Sequence, residues 1–185
     1  EAILGILRDS GEVAAEDLGM VPDFLRQSLQ GLGIPGYRVL RWERDEGIYR
    51  DPMTWPELSV ATNGTHDIES NAQWWDELPR DEREAVIKVA GLNHLNPDAA
   101  FNDEVRDALN RIIYAAPSLL AIVPFQDALG TRERVNLPGT VSDTNWTYRM
   151  PMDVATLQAD GGTIARLAAL TKETHREIVS FPGRL

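Results

Sequence analysis

Two runs constrain this 185-residue chain more than anything else in it: Leu58 to Thr62 within "LSVATNGTHDIES", and Leu119 to Val123 within "SLLAIVPF". Neither run holds a charge, and proline or glycine lies just outside each. They are too short for a helix and the right length for a strand. A strand without polar alternation is buried on both faces, which indicates a parallel sheet covered by helices. The segments between supply those helices. Ile3, Ile6 and Leu7 recur at helical spacing, and Pro22 opens a helix with Leu25, Leu29 and Leu32 on one face. Val105, Ala108, Leu109, Ile112 and Ile113 form a stripe at i, i+3, i+4, i+7 and i+8, and a last helix is expected around Ile164, Leu167 and Ala168. Val13 to Ala15 and Tyr37 to Trp42 bring the strands to four, with a Gly/Pro/Asn-rich loop from Gly130 to Asn145. The alternation leaves two architectures, a doubly wound sheet or a (β/α)8 barrel.

The doubly wound reading has one apparent supporter. "GLGIPG", Gly31 to Gly36, matches a dinucleotide fingerprint letter for letter, but it follows a helix and precedes a strand, the reverse of the order that phosphate binding needs. Pro35 also removes a backbone donor, so these glycines read as a helix C-cap and a tight return. A net charge of −11 opposes nucleic acid and anionic membrane surfaces. With no cysteine and no apolar run of about 18 residues, the chain reads as cytoplasmic, free of disulfides and of membrane spans. The sequons at Asn63 and Asn145 are then accidental. The chain starts at Glu1 inside an expected helix, as an excised piece would.

In either architecture function gathers at the carboxyl ends of the strands, and there the polar clusters sit: Glu16-Asp17 after the first strand, His66-Asp67 after the third. Glu16 and Asp67 are about two barrel units apart, if about 250 residues make eight units. Acids converging on a polar cleft suit glycoside chemistry, in which one protonates the leaving oxygen and another stabilises or attacks the sugar. The competing reading is a helix N-cap or a solvated loop charge, which suits Asp17 ahead of the Pro22 helix. His66 reads equally as a donor that pins the turn. Gly64 is expected to let the backbone turn sharply after the third strand. Trp74-Trp75 offer a sugar platform or, alternatively, half a core. His94 and His175 have no partners at metal spacing, so no metal and no cofactor is expected.

Four blocks, in order, resemble the 4-alpha-glucanotransferases, also called amylomaltases or disproportionating enzymes: "AAEDLGMVPD" (Ala14 to Asp23), "GIPGYRVLRW" (Gly33 to Trp42), "NGTHD" (Asn63 to Asp67) and "LGTRERVNLPGTVSDTNWTYRM" (Leu129 to Met150). The resemblance implies a (β/α)8 TIM barrel of the alpha-amylase-like clan, with residues 1–185 as the carboxyl-terminal half, strands five to eight. It implies Glu16 as general acid/base, Asp67 as the acid that stabilises the transition state, and His66 holding substrate hydroxyls. Asp17, Asn145 and Trp146 are implied along the glucan cleft, with Arg149 near them.

Departures accompany the likeness. The family's nucleophile, an Asp in an Arg-x-Asp context, would lie upstream of Glu1, and Arg44-Asp45 reads as a solvated loop pair. Ile68-Glu69-Ser70 stand where the family commonly continues with Asn-Asp, and Asp143-Thr144 looks inserted. The expected activity is transfer of alpha-1,4-glucan segments between maltooligosaccharides, with this chain inactive alone. The rivals are a hydrolase of the same clan and an inert glucan-binding or assembly fragment. Half a barrel leaves bare strand edges, so either the missing amino-terminal half or self-association is expected to cover them.

Overall fold

A computed structural model describes residues 2–177; the expected helical position of Glu1 lies outside them. In chain order the elements are α1 (Ala2–Ser10), α2 (Asp23–Gly31), β1 (Gly36–Val39), β2 (Arg44–Asp45), β3 (Ile48–Tyr49), a 3-10 turn (Pro52–Thr54), β4 (Ser59–Thr62), α3 (Asn71–Glu77), α4 (Arg80–Val86), α5 (Asp103–Ala115), β5 (Leu120–Ile122), α6 (Phe125–Leu129), α7 (Val154–Ala159) and α8 (Gly161–Glu173).

The sheet decides between the two architectures left open. β1, β4 and β5 are parallel neighbours in that order, and Ala15 joins the outer side of β1 through a bridge to Gly36. The order along the sheet is the order along the chain, with no reversal, as in a singly wound barrel. In register, Tyr37, Val60 and Leu120 form one row, Arg38, Ala61 and Ala121 the next, and Val39, Thr62 and Ile122 a third. Ala61 and Ala121 pack into the core with α3 and α5, so by strand alternation the first and third rows face away from the helices.

The core lies on the helix side. Val105, Ala108, Leu109, Ile112 and Ile113 of α5 are buried there as the stripe requires, against Trp74, Trp75, Val86, Leu92 and Ala61. Asn102 starts α5 by accepting the Val105 N–H at 3.0 Å, and Asp103 and Glu104 sit in its first turn. The glycines after α2 behave as a C-cap: Gly33 has φ +70°, Ile34 N–H bonds to Leu29 O and Gly33 N–H to Gln30 O, closing a Schellman motif.

Several expectations need correction. Of Val13 to Ala15 only Ala15 pairs, its N–H on Pro35 O at 2.9 Å, because Pro35 has no N–H to continue the ladder. The strand from Tyr37 to Trp42 stops at Val39, where Trp42 N–H turns back to Val39 O. Arg44-Asp45 is exposed as expected but is not a loop: it is half of a hairpin with Ile48-Tyr49, closed by Glu46 and Gly47 at φ 49° and 83°, the left-handed pair that a tight hairpin turn favours. Trp74 and Trp75 are both buried, at 8% and 0% exposure, so neither offers a sugar platform. The run from Leu119 to Val123 forms β5, yet Leu119, Leu120 and Ile122 remain 62%, 38% and 50% exposed, because β5 ends the described sheet.

Candidate active site

The rows turned away from the helices floor a cavity of about 360 Å³ at the carboxyl ends of the strands. Tyr37, Thr62 and Ile122 contribute from the sheet, Glu16 from beyond Ala15, and Thr65, His66 and Glu69 from the segment after β4. Glu16 is exposed on this wall.

Its neighbour goes the other way. The Asp17 side chain is 1% exposed and accepts the Tyr37 N–H at 2.6 Å, with Arg38 Nη1 at 3.2 Å and Arg26 Nε at 3.5 Å. It lies so close over Gly36 that a Cβ there would stand 2.4 Å from its oxygen. The implied place of Asp17 along the cleft is therefore corrected. Adjacent residues leaving a strand point to opposite faces, so the chain that presents Glu16 to the cavity buries Asp17 behind the sheet. Nor does Asp17 cap α2, whose N-cap is Pro22.

After β4, Thr62 Oγ1 donates to Gly64 O at 2.8 Å, and Asn63 Nδ2 bonds to Asn110 Oδ1 at 2.6 Å on α5. Gly64 is not in the left-handed region; its reason is space, because a Cβ would stand 2.7 Å from Ile68 Cδ1. The turn then presents His66 to the cavity and Asp67 beside it, outside the wall residues. His66 Nε2 lies 3.3 Å from Asp67 Oδ1, and the same oxygen accepts Asn136 Nδ2 at 2.6 Å.

The loop after α6 closes over this turn. Trp146, 61% exposed, sets its ring 5.0 Å from that of His66, and its backbone N–H bonds to Val135 O at 2.8 Å. Its φ of 63° is unusual for an aromatic residue, a conformation the loop must impose. Asn145 is spent on that loop, accepting Leu137 N–H at 3.1 Å and donating to Thr140 O at 3.2 Å, so its side chain braces the cleft instead of reaching into it. Among the described residues Arg149 bonds only to the nearby carbonyls of Thr147 and Tyr148, the latter at 2.9 Å.

Sequence reasoning missed Asp127, on the cavity wall yet 2% exposed. Burial pushes its carboxyl up to about 6, against the pull of the Asn71 N–H and the Arg41 charge. It follows β5 as Glu16 follows Ala15 and His66 follows β4, so the strand-end rule would have found it. Arg41 is also buried, and burial lowers its pKa against the attraction of Glu69 and Asp127. Among the described residues no group of three or more His, Cys, Asp or Glu is arranged to hold a metal.

Residues 3–155 match the family described as 4-alpha-glucanotransferase. The chain belongs to that family. A 4-alpha-glucanotransferase of Chlamydia muridarum is 31% identical over 172 residues, which cover 84% of this chain and 31% of the relative. The chloroplastic/amyloplastic 4-alpha-glucanotransferase of Solanum tuberosum is 29% identical over 143 residues, 75% of this chain and 23% of the relative. The fold matches solved amylomaltases. The enzyme of Streptococcus agalactiae, in complex with acarbose, aligns with a TM-score of 0.71 at 24% identity over 88% of this chain and 31% of that one. That of Corynebacterium glutamicum gives 0.74 at 21% identity over 92% and 30%. This 4-alpha-glucanotransferase family member thus spans about a third of the length of such relatives, and its parallel sheet is part of their (β/α)8 barrel. No helix among its described residues is long and apolar enough to cross a membrane.

Proposed function

We propose that this chain supplies two of the three catalytic carboxylates of a 4-alpha-glucanotransferase, which moves segments of alpha-1,4-glucan, such as maltodextrin or glycogen chains, between maltooligosaccharides by retaining double displacement. The observation that carries the reading is Glu16, exposed past a strand end on a cavity wall that it shares with His66. In the proposed cycle a carboxylate from outside these residues attacks the anomeric carbon while Glu16 gives its proton to the departing oxygen. A glycosyl ester results. Glu16, now ionised, takes the proton of an incoming sugar 4-hydroxyl, whose oxygen displaces the carboxylate and restores the alpha linkage. Asp67 accepts hydrogen bonds from the ring hydroxyls, which strengthen as positive charge grows on the sugar. His66 and Trp146 border the same sugar, the tryptophan by stacking.

The chain by itself is proposed to turn nothing over. Its end strand β5, exposed at Leu120 and Ile122, and the apolar face of α1 with Ile3 76% and Ile6 67% exposed, suit cover by the amino-terminal half of the barrel or by a second copy. The absence of cysteine suits work in the cytoplasm.

The test is made on the full-length protein with maltotriose and with a glycosyl fluoride, whose leaving group needs little protonation. Glu16→Gln should abolish disproportionation of maltotriose while largely sparing first-turnover release of fluoride, the step that does not need the acid. Equal losses on both donors would remove Glu16 from the role of acid. Glucose without longer products from the unaltered protein would make it a hydrolase, and binding without turnover an assembly fragment.

A further inference from the structure

Arg134 lies on the loop after α6, and its three guanidinium nitrogens reach three different places. Nη2 donates to Asp67 O at 2.7 Å, Nε to Asn136 O at 2.9 Å, and Nη1 to Glu69 Oε2 at 3.4 Å. The first two bonds hold together backbones from two loops. They set Asn136 so that its N–H reaches His66 O at 3.1 Å and its side chain reaches Asp67 Oδ1 at 2.6 Å. The third bond ties the arrangement to the sheet. Glu69 is gripped by Arg41 Nη1 at 2.7 Å, and Arg41 donates to Asn71 Oδ1 at 2.9 Å and lies over the Trp74 ring at 4.7 Å, its own side chain 5% exposed. A chain of charge-assisted bonds therefore runs from the packed end of β1 to the half-buried Asp67 of the His66-Asp67 turn.

We propose that Arg134 is the positioning residue for Asp67: through Asn136 and the Asp67 carbonyl it orients that carboxylate toward the sugar, with Glu69 and Arg41 as its anchor. Planarity is what suits arginine to this task, since one rigid fork bonds three acceptors whose spacing a lysine cannot match. Asp67 Oδ1 is occupied by Asn136, and Oδ2 has no hydrogen-bond or ion-pair partner among the described residues, which leaves that oxygen for the ligand. The proposal rests on the transferase reading for the role of Asp67.

The experiment uses the full-length protein and four variants: Arg134→Ala, Arg134→Lys, Asn136→Ala and the double Arg134→Ala/Asn136→Ala. Misplacing a group whose hydrogen bonds strengthen in the transition state lowers kcat more than it raises KM, so Arg134→Ala should lose about 100-fold in kcat for maltotriose with KM within about threefold. Arg134→Lys, which keeps one donor for the Asp67 carbonyl, should recover about tenfold of that loss. The double variant should be scarcely worse than Arg134→Ala, because both substitutions break one arrangement. An unchanged kcat, a loss confined to KM, or additive losses would overturn the proposal while leaving the transferase reading intact. Glu16→Gln, run in parallel, reports on that reading separately. A readout free of activity is the NMR signal of the Asn136 side-chain amide in asparagine-labelled protein. It should lose its downfield shift in Asp67→Asn and again in Arg134→Ala, and persistence of the shift in Arg134→Ala would refute the positioning role whether or not the protein transfers glucan.

Discussion

Asp127→Asn isolates the cost of a charge sealed against the cavity floor. The wild-type carboxyl is raised from its ordinary value of 3.8 to about 6, chiefly by burial. Below about pH 4 the group is protonated in both the folded and the unfolded chain, and its burial costs little. As pH rises through 3.8 the unfolded chain releases its proton first, so stability falls, and the loss is complete above about pH 6. A gap of about two pH units, at about 1.4 kcal/mol each, amounts to about 3 kcal/mol. Asparagine keeps an oxygen for the Asn71 N–H, bonded at 2.6 Å, and carries no charge, while Arg41 keeps Glu69. The variant should therefore gain on the wild type by up to about 3 kcal/mol between about pH 4 and pH 7. Urea unfolding followed by tryptophan fluorescence at several pH values measures this, with the difference between the two proteins cancelling all other titrations. A stability difference that stays constant across that range would show that Asp127 is not held protonated by burial, and the account of the cavity floor would fail.

Gly36→Ala should cost about 1–3 kcal/mol, read as a lowered thermal midpoint, because the added methyl would meet the Asp17 carboxylate at 2.4 Å and break its bonds to Tyr37 N and Arg38. Ile122→Lys should shift the isolated chain from a dimer or larger species toward monomer in light scattering at micromolar concentration, since Ile122 stands 50% exposed on the end strand of the sheet. A wild-type chain that is already a clean monomer would remove self-association from the possibilities.

The features legible in the sequence are those set by period and by local chemistry. The α5 stripe, the charge-free β4 and the glycine cap after α2 each depend on a few neighbouring residues, and each came out where the pattern put it. What was not legible depends on partners far along the chain. Val13 to Ala15 and Leu119 to Val123 look alike as apolar runs, yet one is cut to a single bridge by Pro35 and the other is left exposed at the sheet end. The hairpin at Arg44 to Tyr49 has strands of two residues each, below the length at which alternation can be seen. Within the site, two acids in sequence cannot reveal which of them faces the cavity. That depends on the pleat at Ala15 and on the bare Cα of Gly36, which receives Asp17. Asn145 and Trp146 are likewise adjacent, and only the folded loop separates the brace from the exposed ring.

The sheet's chain-order pairing also bears on how such a protein can be divided and inherited. Among the described residues, Ala15, β1, β4 and β5 pair in chain order, each with its immediate neighbours in that series, while β2 and β3 pair with each other outside it. A break in the polypeptide between two such units severs one ladder and leaves the rest of the pairing intact, whereas in a sheet of interleaved order one break would orphan strands on both sides. Gene splitting, fusion and duplication at these junctions therefore cost a folded unit one edge each time. That tolerance lets evolution, or an engineer recombining barrels, act at such junctions without dismantling the loops at the strand ends.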